Sequence, residues 1–172
     1  SYYNGSTTPI TIDFTSTGLT SEVKEMIDNA VWNLGGSDTH NDLTTSMFYE
    51  RERGTEVYSN RPIKWTGKIG LMYPSDYGFA VGGDNNNRTI CLNSIIADWN
   101  ASNLNGCMTN NWLHSYVKWT LMPYNIGGNA VFYVTVTSYI YKYYTTRSIA
   151  ATYPSLYLKA PIKIISGTGS NS

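Results

Sequence analysis

The residues that most often carry out chemistry are few and scattered in this chain of 172 residues. His40 and His114 are far apart in sequence, and Cys91 and Cys107 have no second cysteine pair. Metal sites need several ligands at close spacing, so the pattern predicts no metal and no cofactor. Residues 110–172 contain no Asp or Glu, which removes the usual general acids, general bases and acidic calcium ligands. We therefore expect a protein that is not an enzyme.

The chemistry that the last third does offer is recognition through tyrosine, threonine and serine. The stretch VFYVTVTSYIYKYY runs from Val131 to Tyr144. Successive side chains of a strand point to opposite faces, so this stretch predicts an apolar face and a Tyr/Thr face. The predicted core-facing residues are Phe132, Val134, Val136 and Ile140. Tyrosine combines a large contact area with a hydroxyl at low conformational cost, which makes the other face a candidate binding surface.

The two cysteines flank a loop rich in Asn, Ser and Gly. In an oxidising compartment Cys91 and Cys107 would form a disulfide that stabilises the chain by about 3 kcal/mol in the chain-entropy estimate. Two free thiols are the alternative. We expect the disulfide, because little else in this loop would fix its conformation. It predicts an extracellular or cell-surface location.

The composition excludes some partners and favours others. Charge is balanced, with 12 Lys+Arg against 12 Asp+Glu, so no basic excess supports binding to nucleic acid. Charged residues make up 14% of the chain, whereas about 25% is typical. The 15 tyrosines fit either a recognition surface or a β-rich fold. No apolar run reaches the roughly 20 residues of a membrane span, and we expect an ectodomain whose anchoring or secretion segment was removed.

The elements that would position this surface form one domain, residues 1–172. An apolar stripe predicts a helix from Thr20 or Ser21 to Gly35, with its stripe at Val23, Met26, Ile27, Ala30, Val31 and Leu34. The segment SMFYERERGTEVY, residues 46–58, predicts a strand pair that turns near Arg53 and Gly54, with ERER solvated. A strand is expected over residues 69–73, and a turn or short helix at Pro74.

The second half of the chain has a less regular pattern of apolar residues, so fewer elements are predicted in it. GGDNNNR, residues 82–88, predicts a loop, and a weaker helix is expected to hold Leu92, Ile95, Ile96 and Trp99. The predicted buried anchors after it are Trp112, Leu113, Trp119, Leu121 and Met122. A last strand follows, with Leu156 and Leu158 continued by Ile162 and Ile164 as its core side.

The frame NNWL, WTLMP, an alternating strand, YPSLYLKAPIKI and SGTGS resembles bacterial proteins with a C-type-lectin-like fold, in the formylglycine-generating-enzyme branch. The stretch GKIGLMYPSDYGFA is similar to members of this group from gut Firmicutes. The resemblance covers roughly residues 65–170. It implies an α+β fold in which two helices pack on small antiparallel sheets.

Members of this group include the variable proteins of diversity-generating retroelements, in which error-prone copying of template adenines changes Asn codons. The resemblance implies a diversified binding face within residues 110–160 on a fixed scaffold. The positions implied as variable are His114, Ser115, Tyr116, Val117, Tyr124, Asn125, Ile126, Asn129, Tyr133, Thr135, Thr137, Tyr139, Tyr141, Tyr143, Tyr144, Thr145, Thr146, Ser148, Ala151, Thr152 and Tyr153. Two positions depart from the pattern: Lys142 does not arise from such codons, and Tyr153 stands where relatives usually have Arg.

The N-terminal segment, residues 1–36, allows two interpretations. A polar start and one amphipathic helix are what a type IV pilin-like stalk retains after its apolar helix is removed, which would make the protein membrane-anchored. The same helix is equally expected as one of the two helices of the lectin-like fold.

Three functions follow from these observations. The first is a surface-displayed adhesion protein that binds a protein or glycan ligand on another cell or a phage. The second is a pilin-like fibre subunit whose tyrosine face packs against neighbouring subunits. The third, ranked lowest, is an enzyme of the formylglycine-generating type, because Cys91 and Cys107 precede the region where that activity needs its thiols.

Overall fold

The computed structural model describes residues 14–16, 18–55, 62–82, 85–97, 105–124, 130–144 and 150–160. The helices in these residues are α1 Ser21–Met26, α2 Thr45–Glu52, α3 Pro74–Phe79, α4 Asn85–Asn93 and α5 Asn105–Met108. The strands are β1 Ala30–Asn33, β2 Lys64–Gly67, β3 Ile69–Leu71, β4 Lys118–Tyr124, β5 Ala130–Val134, β6 Ile140–Tyr144 and β7 Pro154–Leu156. The predicted α+β class with small antiparallel sheets is confirmed, whereas the prediction of two helices is wrong: these residues form five.

The strands form three separate antiparallel sheets. β1 pairs with β2, β3 pairs with β7, and β4, β5 and β6 form a three-stranded sheet with β5 in the centre. The pairing of β3 with β7 joins Ile69 to Leu156, so the end of the chain returns to its middle. The three-stranded sheet carries the candidate binding face.

The long helix predicted from Thr20 to Gly35 is wrong beyond Met26. α1 ends after six residues, and Ile27 is extended and forms a β-bridge with Leu158. Asp28 and Asn29 favour turns over helix interiors, and the following Ala30–Asn33 pairs with β2 as strand β1. The apolar spacing therefore did not mark a helix face: Met26 is 46% exposed, while Ile27 is buried from extended backbone.

The strand pair predicted over residues 46–58 is also wrong where the structure describes it. Thr44 caps α2 by accepting a hydrogen bond from the Met47 amide at 3.4 Å, and the helix runs to Glu52. Helical spacing places Phe48 and Glu52 on one buried face, four residues apart. ERER is therefore not a solvated strand, and its third residue is fully buried. Arg53, where a turn between two strands was expected, is instead the C-cap of this helix.

The short helix expected at Pro74 is confirmed as α3. Pro74 occupies its first turn, where a missing amide hydrogen costs nothing, and the Asp76 carboxylate accepts a hydrogen bond from the Tyr73 amide at 2.8 Å. α3 packs so closely on α2 that a Cβ at Gly78 would overlap the Thr45 side chain.

The region after α3 departs from the predicted loop and helix. α4 begins at Asn85, inside the predicted loop, and ends at Asn93, so only Leu92 of the predicted helical residues lies in it. The predicted disulfide is confirmed: Cys91 of α4 is bonded to Cys107 of α5. This bond is typical of oxidising compartments. In the described part of the chain, no helix is long and apolar enough to span a membrane.

The core lies between the helices and one side of the three-stranded sheet. Phe132 and Phe48 meet edge to face, with 5.2 Å between ring centroids, which links β5 to α2. Val134, Ile140, Leu113 and Met122 are buried in the same cluster, confirming four predicted core residues. Trp119 is also buried, as predicted, whereas Leu121 is half-buried.

Four other residues that were predicted in the core are exposed. Val136 is 55% exposed because β5 ends at Val134 and the chain turns before it. Trp112 is 66% exposed, while its neighbour Leu113 takes the buried position. Leu156 and Leu158 are exposed near the edge pairings of β7. Ile162, Ile164 and Trp99 lie outside the described residues.

Candidate binding face

The side of the three-stranded sheet that faces away from the core carries a row of aromatic residues. In the register of β5 with its neighbours, Tyr133 lies opposite Tyr141 of β6 and opposite Trp119 of β4. Tyr143 is opposite Val131, one diagonal step from Tyr133. Such opposite and diagonal neighbours are close enough for their side chains to touch. The sheet therefore assembles tyrosines that are spread over two strands into one surface.

The rings of this surface contact one another. Tyr133 lies 5.9 Å from Trp119 and 5.8 Å from Tyr143 between ring centroids, and Tyr139 lies 6.1 Å from Tyr141. Burial, and then the neighbouring tyrosine hydroxyls, raise the pKa of Tyr133, so the group stays a neutral phenol. Half-buried rings that restrain each other lose little freedom on binding, which is the property of a preorganised contact surface.

The turn between β5 and β6 fixes where this surface begins. Thr135 is buried, and its hydroxyl donates to the Tyr139 carbonyl at 3.0 Å and accepts from the Tyr139 amide. Ser138 has a φ of 72°, in the left-handed region that non-glycine residues seldom occupy. Thr135 thus holds the turn from inside, while Thr137 next to it is exposed.

His114 joins the loop before β4 to this turn. Its Nδ1 lies 2.8 Å from the buried Ser138 hydroxyl and 3.5 Å from the Tyr77 hydroxyl. Burial, and then the charge of Lys118, lower the pKa of His114, which favours the neutral ring that can accept a hydrogen bond at Nδ1. The upstream patch is therefore tied to the turn between β5 and β6 through a side-chain hydrogen bond.

A second cluster surrounds Tyr153, at the start of β4 where Lys118 lies opposite Val134 and therefore on the other side of the sheet from Tyr133. The Ser115 hydroxyl lies 3.0 Å from the Tyr153 hydroxyl, and the Lys118 ammonium lies 4.8 Å from the Tyr153 ring centroid. Lys118 also donates to the Tyr116 carbonyl at 2.8 Å, while the Tyr116 side chain is 70% exposed. Burial lowers the pKa of the Lys118 amine. This cluster presents Ser115 and Tyr116 to solvent.

The remaining predicted site residues have varied positions. Ala151 extends the sheet beside β4, donating from its amide to the Val117 carbonyl at 2.8 Å and accepting from the Trp119 amide. Thr152 is exposed, whereas Tyr124 is buried with its hydroxyl 3.0 Å from Nδ1 of His40. The side chain of Tyr144 is not described, and the predicted residues outside the described part are Asn125, Ile126, Asn129, Thr145, Thr146 and Ser148.

The structure adds two residues that sequence reasoning did not place at the site. Trp119 is buried, as predicted for a core anchor, and its ring also contacts Tyr133 on the neighbouring strand, so it belongs to the face as well. Lys118 is fully buried beside Tyr153. Its burial could not be predicted from the residue type, because lysine is seldom buried. Only the alternation of Lys118 with Trp119 along β4 could have indicated it.

Within the described residues, no three His, Cys, Asp or Glu side chains are grouped as a metal site would need. Comparison with models of known protein families, with curated proteins and with solved structures gives no match.

Proposed function

We propose that this protein is a cell-surface binding or adhesion protein with a C-type-lectin-like scaffold and a diversified Tyr/Thr/Ser-rich face, and that it is not an enzyme. The ligand would be a protein or glycan on another cell or a phage. The observation that supports this proposal is the contrast across β5 and β6: Phe132 and Ile140 are fully buried on one side, while Tyr133 and Tyr141 are half-buried on the other.

The physical basis of binding would be aromatic burial with hydrogen bonds from the hydroxyls. Tyr133, Tyr139, Tyr141 and Tyr143 lie in contact with each other or with Trp119, so their rings form a surface that is largely fixed before a ligand arrives. Exposed polar side chains at Ser115 and Thr137 supply contacts that can vary without loss of core packing. A calcium ion is not needed for such contacts.

The test is sequence variation at this locus in many cells of the source population. We expect substitutions to concentrate in the codons of Tyr133, Tyr139, Tyr141 and Tyr143, with Phe132 unchanged. A reverse-transcriptase gene and an imperfect template repeat near the locus would accompany this pattern. Substitutions spread evenly over both sides of the sheet would contradict the proposal.

A matched pair of variants tests the same division in the protein. Tyr141→Ser removes one half-buried ring at the edge strand, and we expect it to lower the free energy of unfolding by about 1 kcal/mol. Phe132→Ser empties a fully buried position in the central strand and should cost more than about 4 kcal/mol. Chemical denaturation measures both values, and equal costs would remove the distinction between scaffold and face.

A further inference from the structure

A pocket separate from the ring contacts of the sheet face lies between α3, the loop before β4 and the start of β7. Its volume is about 330 Å³, and its walls include Met72, Asp76, Phe79, Trp112, Leu113 and Tyr153. Of the proposed variable positions that the structure describes, Tyr153 alone lines this pocket. Three aromatic rings, apolar side chains and one carboxylate therefore line a single concave site, which is the usual composition of a small-molecule pocket.

The loop that carries Trp112 is held rigidly, so the exposure of this side chain is built in. Asn110 has a φ of 53°, and the Asn111 amide group donates to the carbonyls of Tyr77 and Cys107, both at 2.8 Å. The Asn111 side-chain oxygen accepts from the Leu113 amide at 2.9 Å. These bonds direct Leu113 into the core and leave the Trp112 indole at the pocket, where covering it would be favourable.

Asp76 provides the charge of the pocket. One of its oxygens caps α3, which fixes the carboxylate, and burial raises its pKa. The guanidinium of Arg53 opposes that rise, but it also binds Glu52 at 3.0 Å and lies over the Tyr49 ring at 3.5 Å. A carboxylate that burial destabilises gains more from a cation than an exposed one does.

The Lys118 ammonium is a second cation near the pocket wall. It lies over the Tyr153 ring, 4.8 Å from the ring centroid. The Tyr153 ring therefore already contacts a cation, and it would line the pocket without binding the ammonium group of a ligand. Trp112 and Phe79 are both partly exposed at the pocket, and neither is the ring of a described cation contact. An aromatic face next to a carboxylate is the arrangement that recognises organic ammonium groups.

We propose that this pocket binds a small organic ammonium ion with an apolar substituent, which would contact Trp112 and Phe79 while its ammonium approaches Asp76. This proposal does not rest on the proposed function of the tyrosine face, although Tyr153 belongs both to the pocket wall and to the implied variable positions. Net attraction to a cation comes from Asp76, and selectivity against anions comes from the same carboxylate.

The experiment is an NMR titration of the full chain with phenethylamine, which is cationic at neutral pH. 2-Phenylethanol and 3-phenylpropionate serve as the neutral and anionic analogues. We expect a saturable shift of the Trp112 indole N–H resonance, identified by its loss in Trp112→Phe. The two analogues should bind at least about tenfold more weakly than the amine, since one charge contact of this kind is worth about one decade in affinity.

Two charge-neutralising variants form the matched comparison. Asp76→Asn retains an oxygen to cap α3, and we expect it to weaken phenethylamine binding at least fivefold, an order-of-magnitude expectation for a partly buried ion contact. Asp28→Asn makes the same change in net charge at an exposed site and should leave the affinity unaltered. Tyr141→Ser should also leave it unaltered, which separates this site from the tyrosine face. Absence of a saturable shift, equal binding of the three compounds, or an unchanged affinity in Asp76→Asn would each overturn the proposal.

Discussion

Glu52 should make the stability of this protein depend on pH in an uncommon direction. Its side chain is fully buried at the end of α2, where it accepts hydrogen bonds from the Ser75 amide at 2.7 Å and the Ser75 hydroxyl at 2.6 Å. Arg53 donates to it at 3.0 Å. Burial outweighs these bonds and raises the pKa of Glu52 from 4.5 to about 7. Between pH 4.5 and about 7, the folded state therefore holds a proton that the unfolded chain releases.

The sign and size follow from this pKa difference. A raised pKa means that the contribution of Glu52 to stability is fully present below pH 4.5 and is lost as the pH rises through 7. Since one pKa unit is about 1.4 kcal/mol, the change between these limits is about 3 kcal/mol. In Glu52→Gln the amide oxygen can still accept from the Ser75 amide, but the side chain does not ionise. The free energy of unfolding of the parent, minus that of the variant, should fall by about 3 kcal/mol between pH 4.5 and pH 8.

Urea denaturation of both proteins at several pH values, at constant ionic strength, measures this difference. Comparing parent with variant cancels the titrating groups that do not interact with Glu52. Glu50→Gln is the control, because Glu50 is exposed on the same helix and its replacement makes the same chemical change without altering a buried carboxyl group. A difference that stays constant with pH, or that grows as the pH rises, would mean that Ser75 and Arg53 stabilise the carboxylate more than burial destabilises it.

Two further predictions test the framework around the face. Replacing Cys91 and Cys107 together by Ser should lower the free energy of unfolding by about 3 kcal/mol. Denaturation under non-reducing conditions measures this loss. A loss below about 0.5 kcal/mol would show that the described contacts between α4 and α5 suffice without the disulfide. Val136→Ala should change the free energy of unfolding by less than about 0.5 kcal/mol, because Val136 is exposed, whereas Val134→Ala should lower it by about 2 kcal/mol. A similar loss at both positions would contradict the end of β5 at Val134.

The sequence predicted well where one periodicity had a single physical meaning. Phe132, Val134 and Ile140 alternate along β5 and β6 and are buried as expected, and Pro74 with Asp76 marked the start of α3. The disulfide was predictable because two cysteines flanked a loop with little else to stabilise it. Local rules sufficed at these positions because no competing tertiary contact opposed them.

The failures occurred where tertiary contacts decided between two allowed local structures. The apolar residues around Ile27 fit a helix, but Asp28 is unfavourable in a helix interior. The segment that follows β7 forms a β-bridge with Ile27 through Leu158, and β2 pairs with Ala30, so the chain is held in extended form. In α2 the aromatic and charged residues fit a strand equally well, and the close approach of α3 at Gly78 favours the helix. Such partners are remote in sequence, so no local pattern reports them.

The division of β5 and β6 into two sides explains how one strand pair could keep its fold while its outer side varies. Register depends on which residues are buried, and a slip by one residue would exchange Phe132 and Ile140 for tyrosines in the core. The turn adds a second constraint, because Thr135 and Ser138 form their hydrogen bonds inside the protein and set the point at which β6 begins. Neither constraint uses the side chains of Tyr133 or Tyr141. Changes at those two positions therefore leave the register fixed, whereas a change at Thr135, although it belongs to the same alternating set, should disturb the turn and the face together.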